Sequence, residues 1–325
     1  MKKIFLLLVL SSSISSAQWV QKTSCDKNAA IISDQAVEAL TNLEYTMALG
    51  MAKAALLLDP DCGCAQLTLA AISSRNSKWG GQKSKLEAIN VSKLSQEEQV
   101  WHSYLMASRE DRDAVAKAGA SKFPNSPLVN YLTTKSTDMN SFKAFAEKFP
   151  KYASSSYNMM SYGYMRDAFG EPNPEMAMKY VKQAQQLHDG PNSYDSMAEH
   201  YATLGDYEKA LELELKAVDF ATFGSTYWRF AQTYRAKLNQ LEVSEKLMKM
   251  QRELQAAIMA DDYKIYSKFE HPDIIHKTGD SNLNPFYVFD KSSFGGNDAI
   301  DWNNLDLDDM EVSYAPDMQT AVMTF

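Results

Sequence analysis

YDSMAEHYATLGDYEKALELELKA, residues Tyr194 to Ala217, decides how this chain folds. Small residues stand at Ala198, Ala210 and Ala217, aromatics at Tyr194, Tyr201 and Tyr207, and a glycine at Gly205. Alanine at Ala198 and Ala210 lets two helices approach closely, and the rings fill the space around them. Gly205 permits the tight turn between the helices. The stretch predicts a helical hairpin with a socket for its neighbours.

One hairpin cannot bury its apolar face alone, so further copies are expected. Thirty-three residues downstream, Tyr227, Phe230, Ala231 and Tyr234 repeat the spacing of the first helix. Leu238, Val243 and Met250 stand where the turn glycine and two alanines would be, so this copy is expected to have a degenerate second helix. Upstream, Gly163 and Gly170 keep the step from Ala198 to Gly205, and Ala177 and Ala184 keep the step from Ala210 to Ala217. Tyr45, Ala48 and Ala55 repeat the second-helix pattern, and Pro60 closes that helix. Ser95-x-x-Glu98 reads as a capping box. Lys122-Phe123-Pro124 and Lys148-Phe149-Pro150 read as helix ends of shortened copies, and Trp79-Gly80-Gly81 as a turn.

This spacing resembles the tetratricopeptide repeat, a unit of about 34 residues. The resemblance implies a mainly α chain: an α-solenoid of helical hairpins over residues 18–258, its first hairpin spanning 26–60.

The chain opens MKKIFLLLVLSSSISSAQ, with two lysines, a seven-residue apolar run from Ile4 to Leu10, and small residues at Ser15 and Ala17. Residues 1–17 therefore read as a secretory signal peptide, since the run falls far short of the ~20 residues that span a bilayer. The expected location is secreted or periplasmic, without a lipid-bearing cysteine at the cleavage point. The formal net charge is −8 at pH 7, and −10 once Lys2 and Lys3 leave with the leader. Such a chain, without clustered Lys and Arg, is not expected to bind nucleic acid. In an oxidising compartment the three cysteines read as a bridge from Cys25 to Cys62 or Cys64, with one thiol left over. Zinc needs more ligands than they supply.

Residues 259–325 change in character. Glu311–Ala315 and Thr320–Phe325 alternate around Pro316-Asp317, a hairpin signal, so a partial α+β domain is expected. Its opening, AAIMADDYKIYSKFEHPDII from Ala256 to Ile275, with Asp262-Tyr263, His271-Pro272 and the strand TAVMTF, resembles the start of the nuclear transport factor two-like superfamily, which includes SnoaL-like proteins. That fold continues through further long strands, whereas this sequence stops at Phe325. The resemblance implies a pocket lined by Asp262, Tyr266, His271 and Asp273. It supplies the alternative function: a small-ligand binder, or an isomerase- or hydrolase-type enzyme, with its pocket in the C-terminal domain.

Enzyme signatures are otherwise absent from the sequence. There is no G-x-x-x-x-G-K-[ST], no G-x-G-x-x-G, no G-x-S-x-G and no H-E-x-x-H. The acidic run from Asp298 to Glu311 has Leu305 in a calcium-ligand slot and reads as a solvated approach to a strand. No cofactor or metal is expected. His102, His188 and His200 read as solvent-facing or locally bonded. The tetratricopeptide resemblance implies a concave groove lined by first helices. There it places Asn192, Asp195 and Glu199 from one copy, and Ser225, Trp228, Gln232 and Arg235 from the next. Trp228 beside Arg235 suits a protein or peptide anchor. The first reading is thus an exported, noncatalytic scaffold for protein or peptide partners.

Overall fold

The computed structural model describes residues 18–72, 82–220, 226–260, 262–269, 275–277, 286–288, 310–314 and 321–324. The leader, the Trp79-Gly80-Gly81 turn, Ser225, His271, Asp273 and the acidic run as far as Asp309 lie outside them. The chain divides into two compact units, one ending at Gln232 and the other beginning at Thr233.

The first unit is a succession of helices packed in pairs. They are α1 (Lys27–Thr41), α2 (Tyr45–Leu58), α3 (Gly63–Ile72), α4 (Lys83–Glu87), α5 (Gln96–Met106), α6 (Arg112–Lys122), α7 (Pro127–Tyr131), α8 (Met139–Lys148), α9 (Ser154–Met165), α10 (Pro174–Leu187), α11 (Pro191–Thr203) and α12 (Tyr207–Phe220). The close-contact alanines explain the pairing. Ala48 and Ala55 on α2, Ala177 and Ala184 on α10, Ala198 on α11, and Ala210 and Ala217 on α12 are all sealed from solvent. Small side chains at these points let paired axes approach toward the short end of the ~8–10 Å range of helix packing. These are helical hairpins. Among the described residues no helix is long and apolar enough to cross a membrane.

The turns are equally specific. In the α11–α12 turn Asp206 N–H donates to Tyr201 O at 3.0 Å and Gly205 N–H to Ala202 O at 3.0 Å, with Gly205 at φ +83°. That is the Schellman arrangement, which wants glycine at its left-handed position. The α1–α2 turn repeats it, with Glu44 N–H on Ala39 O at 2.9 Å and Leu43 N–H on Leu40 O at 3.1 Å. There the left-handed residue is Leu43, at φ +63°. Ser95 and Glu98 form a capping box at the start of α5.

Residues 18–24 pack against this array. Trp19 is buried; its backbone N–H donates to Asp34 at 2.6 Å, its indole N–H to Glu38, and its carbonyl accepts from Leu128 N–H at 3.1 Å. Its ring meets Tyr131 and Tyr152 edge-on and stacks on Phe145. Thr23 and Ser24 donate to the buried Glu98 carboxylate, and Gln21 N–H to Glu97 at 3.2 Å. The chain's own segment therefore occupies faces of α1, α5 and α7. The array also curves back on itself. Ser154 on α9 donates to Asn42 at 2.9 Å, and His188, just past α10, lies 2.8 Å from Glu44. A disulfide joins Cys25 to Cys62, and Cys64 is a buried free thiol.

One expectation fails. A hairpin with its turn near Leu238 was expected, but α13 runs unbroken from Thr226 to Met259, 34 residues. No glycine or proline interrupts it, and Ala236, Lys237, Leu238, Gln240, Leu241 and Glu242 all favour helix, so nothing offsets the loss of hydrogen bonds a turn would bring.

The boundary between the units falls within α13. The second unit also contains α14 (Tyr263–Tyr266), which Asp262 caps by accepting from Ile265 N–H at 3.0 Å. Its described strands form two antiparallel pairs. In one, β1 (Ile275–Lys277) pairs with β2 (Phe286–Val288). In the other, β3 (Glu311–Tyr314) pairs with β4 (Ala321–Thr324), with Glu311 opposite Thr324 and Tyr314 opposite Ala321. Tyr266 is buried.

Candidate functional site

The polar residues of α11 do not all stand free in a groove. Asn192 is half-buried, with its backbone N–H 3.5 Å from Glu44 and its carbonyl accepting from Ser196 at 2.8 Å. Glu199 is exposed and accepts from the Tyr162 hydroxyl of α9 at 2.6 Å. Burial, then the Glu199 charge, push the Tyr162 phenol well above its ordinary range. Glu199 thus ties α11 to α9.

Asp195 is half-buried and turns toward Glu214 of α12. Glu214 is fully buried, and among the described residues neither of its carboxyl oxygens has a donor partner. Burial and the neighbouring Asp195 carboxyl push Glu214 up to about 9, while burial and Glu199 push Asp195 up to about 6. At neutral pH the pair therefore holds a proton on Glu214 and faces it toward a carboxylate. Tyr227, in the first turn of α13, is raised too, by burial and then by Asp195, Glu44 and Glu214. The cluster gathers α11, α12 and the start of α13 around one shared proton.

Two histidines join the surrounding network. His200 is buried, its Nε2 2.8 Å from the Ser161 hydroxyl and its ring edge-on to Tyr162, and burial and Arg166 lower it to about 4. It is neutral and structural rather than solvent-facing. Burial opposes charge on His188, but Glu44, with Glu38 and Asp189, outweighs that and raises its pKa. The two residues His188 and Glu44 lock the α1–α2 turn to the end of α10.

Past this cluster, Trp228 is 44% exposed, and Gln232 is exposed one turn further along α13. Both belong to the first unit. Arg235 is exposed and belongs to the second. Asn192, Asp195 and Glu199 thus face neighbouring groups of the helical unit, whereas the Trp228 ring is exposed. No family model and no curated protein matches this chain. Among solved structures, a thermophilic TPR protein of Thermus thermophilus aligns at 18% identity and a TM-score of 0.27, covering 65% of this chain and 98% of that one. A likeness that low assigns nothing here; the helical-repeat character rests on this chain's own helix packing.

Sequence reasoning named Asp195 and Glu199 but missed their partners Glu214, Tyr162 and Tyr227. Glu214 did carry a signal. It lies four residues after Ala210 and three before Ala217, so a helix places all three on one face, and a glutamate in a buried stripe needs a partner or a proton.

Proposed function

We propose that the chain is an exported, noncatalytic scaffold whose helical repeats bind a protein or peptide partner at the α11 edge and the first turns of α13. The observation that carries this reading is the 44% exposure of Trp228 on a helix start whose neighbour Tyr227 is tucked against the carboxyl cluster. A large amphipathic ring held on a rigid element is the usual anchor of a protein interface. The partner surface lies here because α1, α5 and α7 already hold the segment Gln18–Ser24. Export is supported by the Cys25–Cys62 bridge, since disulfides persist in oxidising compartments. The lack of catalytic motifs in the sequence, and the sealing of Glu214 from solvent, favour binding over chemistry.

The test is affinity capture from the native envelope or culture fluid with the wild-type chain and with Trp228→Ala. A protein held by the wild type should be lost or weakened by about 2 kcal/mol in the variant. Equal retention by both moves the binding surface elsewhere.

A further inference from the structure

Asp34 and Glu38 stand one helical turn apart on α1, so they share a face, and both are half-buried. Trp19 sits on that face, its backbone N–H donating to Asp34 at 2.6 Å and its indole N–H to Glu38. The carbonyl of Gln18 accepts from the Tyr152 hydroxyl at 2.9 Å. The peptide joining Gln18 to Trp19 is thus held at both ends, by Asp34 and by Tyr152. Consecutive backbone nitrogens are at most about 3.7 Å apart, which puts the Gln18 nitrogen within roughly 6.5 Å of the Asp34 oxygen that Trp19 engages.

The two carboxyls lack a full cation. Among the described residues neither forms an ion pair with lysine or arginine, and the imidazole nearest Glu38, His188 at 3.8 Å, is engaged more closely by Glu44 at 2.8 Å. Burial pushes Asp34 up to about 7 despite the Trp19 N–H, and Glu38 adds to the rise. Burial raises Glu38 as well. A half-buried pair of acids one turn apart is poorly placed to carry two negative charges unless a positive group comes close.

We propose, on the reading that residues 1–17 are an export leader, that its removal supplies the missing cation: the α-ammonium of Gln18 binds the Asp34 carboxylate, with Glu38 behind it, and fastens the mature N-terminal segment to α1. Hydrolysis of the Ala17–Gln18 bond consumes one water, leaves a carboxylate on Ala17, and turns an uncharged amide nitrogen with one N–H into an ammonium with three. An opposite charge at this range favours the ionised carboxylate, so the cleaved chain no longer keeps a proton on Asp34. Before cleavage the segment has its backbone bonds but not the ion pair. Cyclisation of Gln18 to pyroglutamate, with loss of ammonia, would abolish the charge and the pair with it.

The test compares three forms of the whole chain from Gln18 onward, each with the Cys25–Cys62 bridge formed. One has Gln18 as its free terminus, one carries Gly-Ser ahead of Gln18, and one is the pyroglutamate form made with glutaminyl cyclase. At pH 7 the free-terminus form should melt several degrees above the other two. Its α-ammonium, followed by NMR, should titrate above the ordinary ~7.7–8.0 of an amino terminus. Asp34→Asn keeps an acceptor for the Trp19 N–H but removes the charge, so it should erase the difference between the free and extended forms, which a merely disturbed segment would not do. Equal melts of the three forms, or a difference that survives Asp34→Asn, overturns the pairing while leaving export standing. N-terminal sequencing of exported material separates the two readings: a start at an unmodified Gln18 supports both, pyroglutamate at position 18 overturns the pairing alone, and a start elsewhere overturns the leader boundary and the pairing together.

Discussion

Replacing Glu214 by glutamine isolates the shared proton between α11 and α12. The carboxyl is fully buried, and its pKa moves from the ordinary 4.5 to about 9. The folded state therefore keeps a proton that the unfolded chain releases above pH 4.5. Stability is unaffected by this group at lower pH and falls as pH rises, at about 1.4 kcal/mol per pH unit, until the pH passes the folded value. By pH 7 the loss is about 3 kcal/mol. Glutamine has the same shape, does not titrate, and can donate its amide N–H to Asp195. Glu214→Gln should therefore match the wild type near pH 4.5 and exceed it by about 3 kcal/mol at pH 7. For a unit of this size that is a rise of about 6–12 °C in melting temperature. Thermal melts of both proteins at pH 5, 7 and 8 read the effect. A difference that stays constant across those three pH values would refute the reasoning, because the proton would then not be held on Glu214.

Further outcomes follow from packing and covalent linkage. Ala210 is sealed between α11 and α12, so Ala210→Leu should overpack that contact by about 1–3 kcal/mol and lower the melting temperature; an unchanged melt would mean that Ala210 faces open space. The Cys25–Cys62 bridge spans 37 residues, so Cys25→Ser combined with Cys62→Ser should destabilise by about 2–4 kcal/mol, read by denaturant unfolding against the wild type under oxidising conditions.

Much of the helical array was legible in the sequence, and the reasons are local. Ala198, Gly205 and Ala210 declare a hairpin because close approach and a left-handed turn admit few residue types. The same habit of reading misled at Leu238, where the repeat spacing carried on but no residue could stop the helix, so α13 continued. Trp19 was illegible for a different reason. It lies before α1 in a segment without periodicity, and its partners Asp34, Glu38, Leu128, Phe145 and Tyr152 come together only through the curvature of the array. At the site, Asp195 and Glu199 were read as groove residues from their spacing beside the packing positions. The placement of Asp195 near Glu214 and the bond of Glu199 to Tyr162 depend on the rotation of α11 against its neighbours, which spacing alone does not set. Nothing in the sequence around Leu43 marks it, and only its backbone angle distinguishes it.

The central claim is that the partner surface lies at the start of α13. It is tested most directly by placing a photoreactive amino acid at position 228, with a control at Leu57, which is 86% exposed on α2. After irradiation of the purified chain mixed with the native envelope or culture fluid, position 228 should yield a discrete adduct to another protein and position 57 should not. Equal adducts from both positions, adducts from position 57 alone, or none from position 228 would contradict the claim.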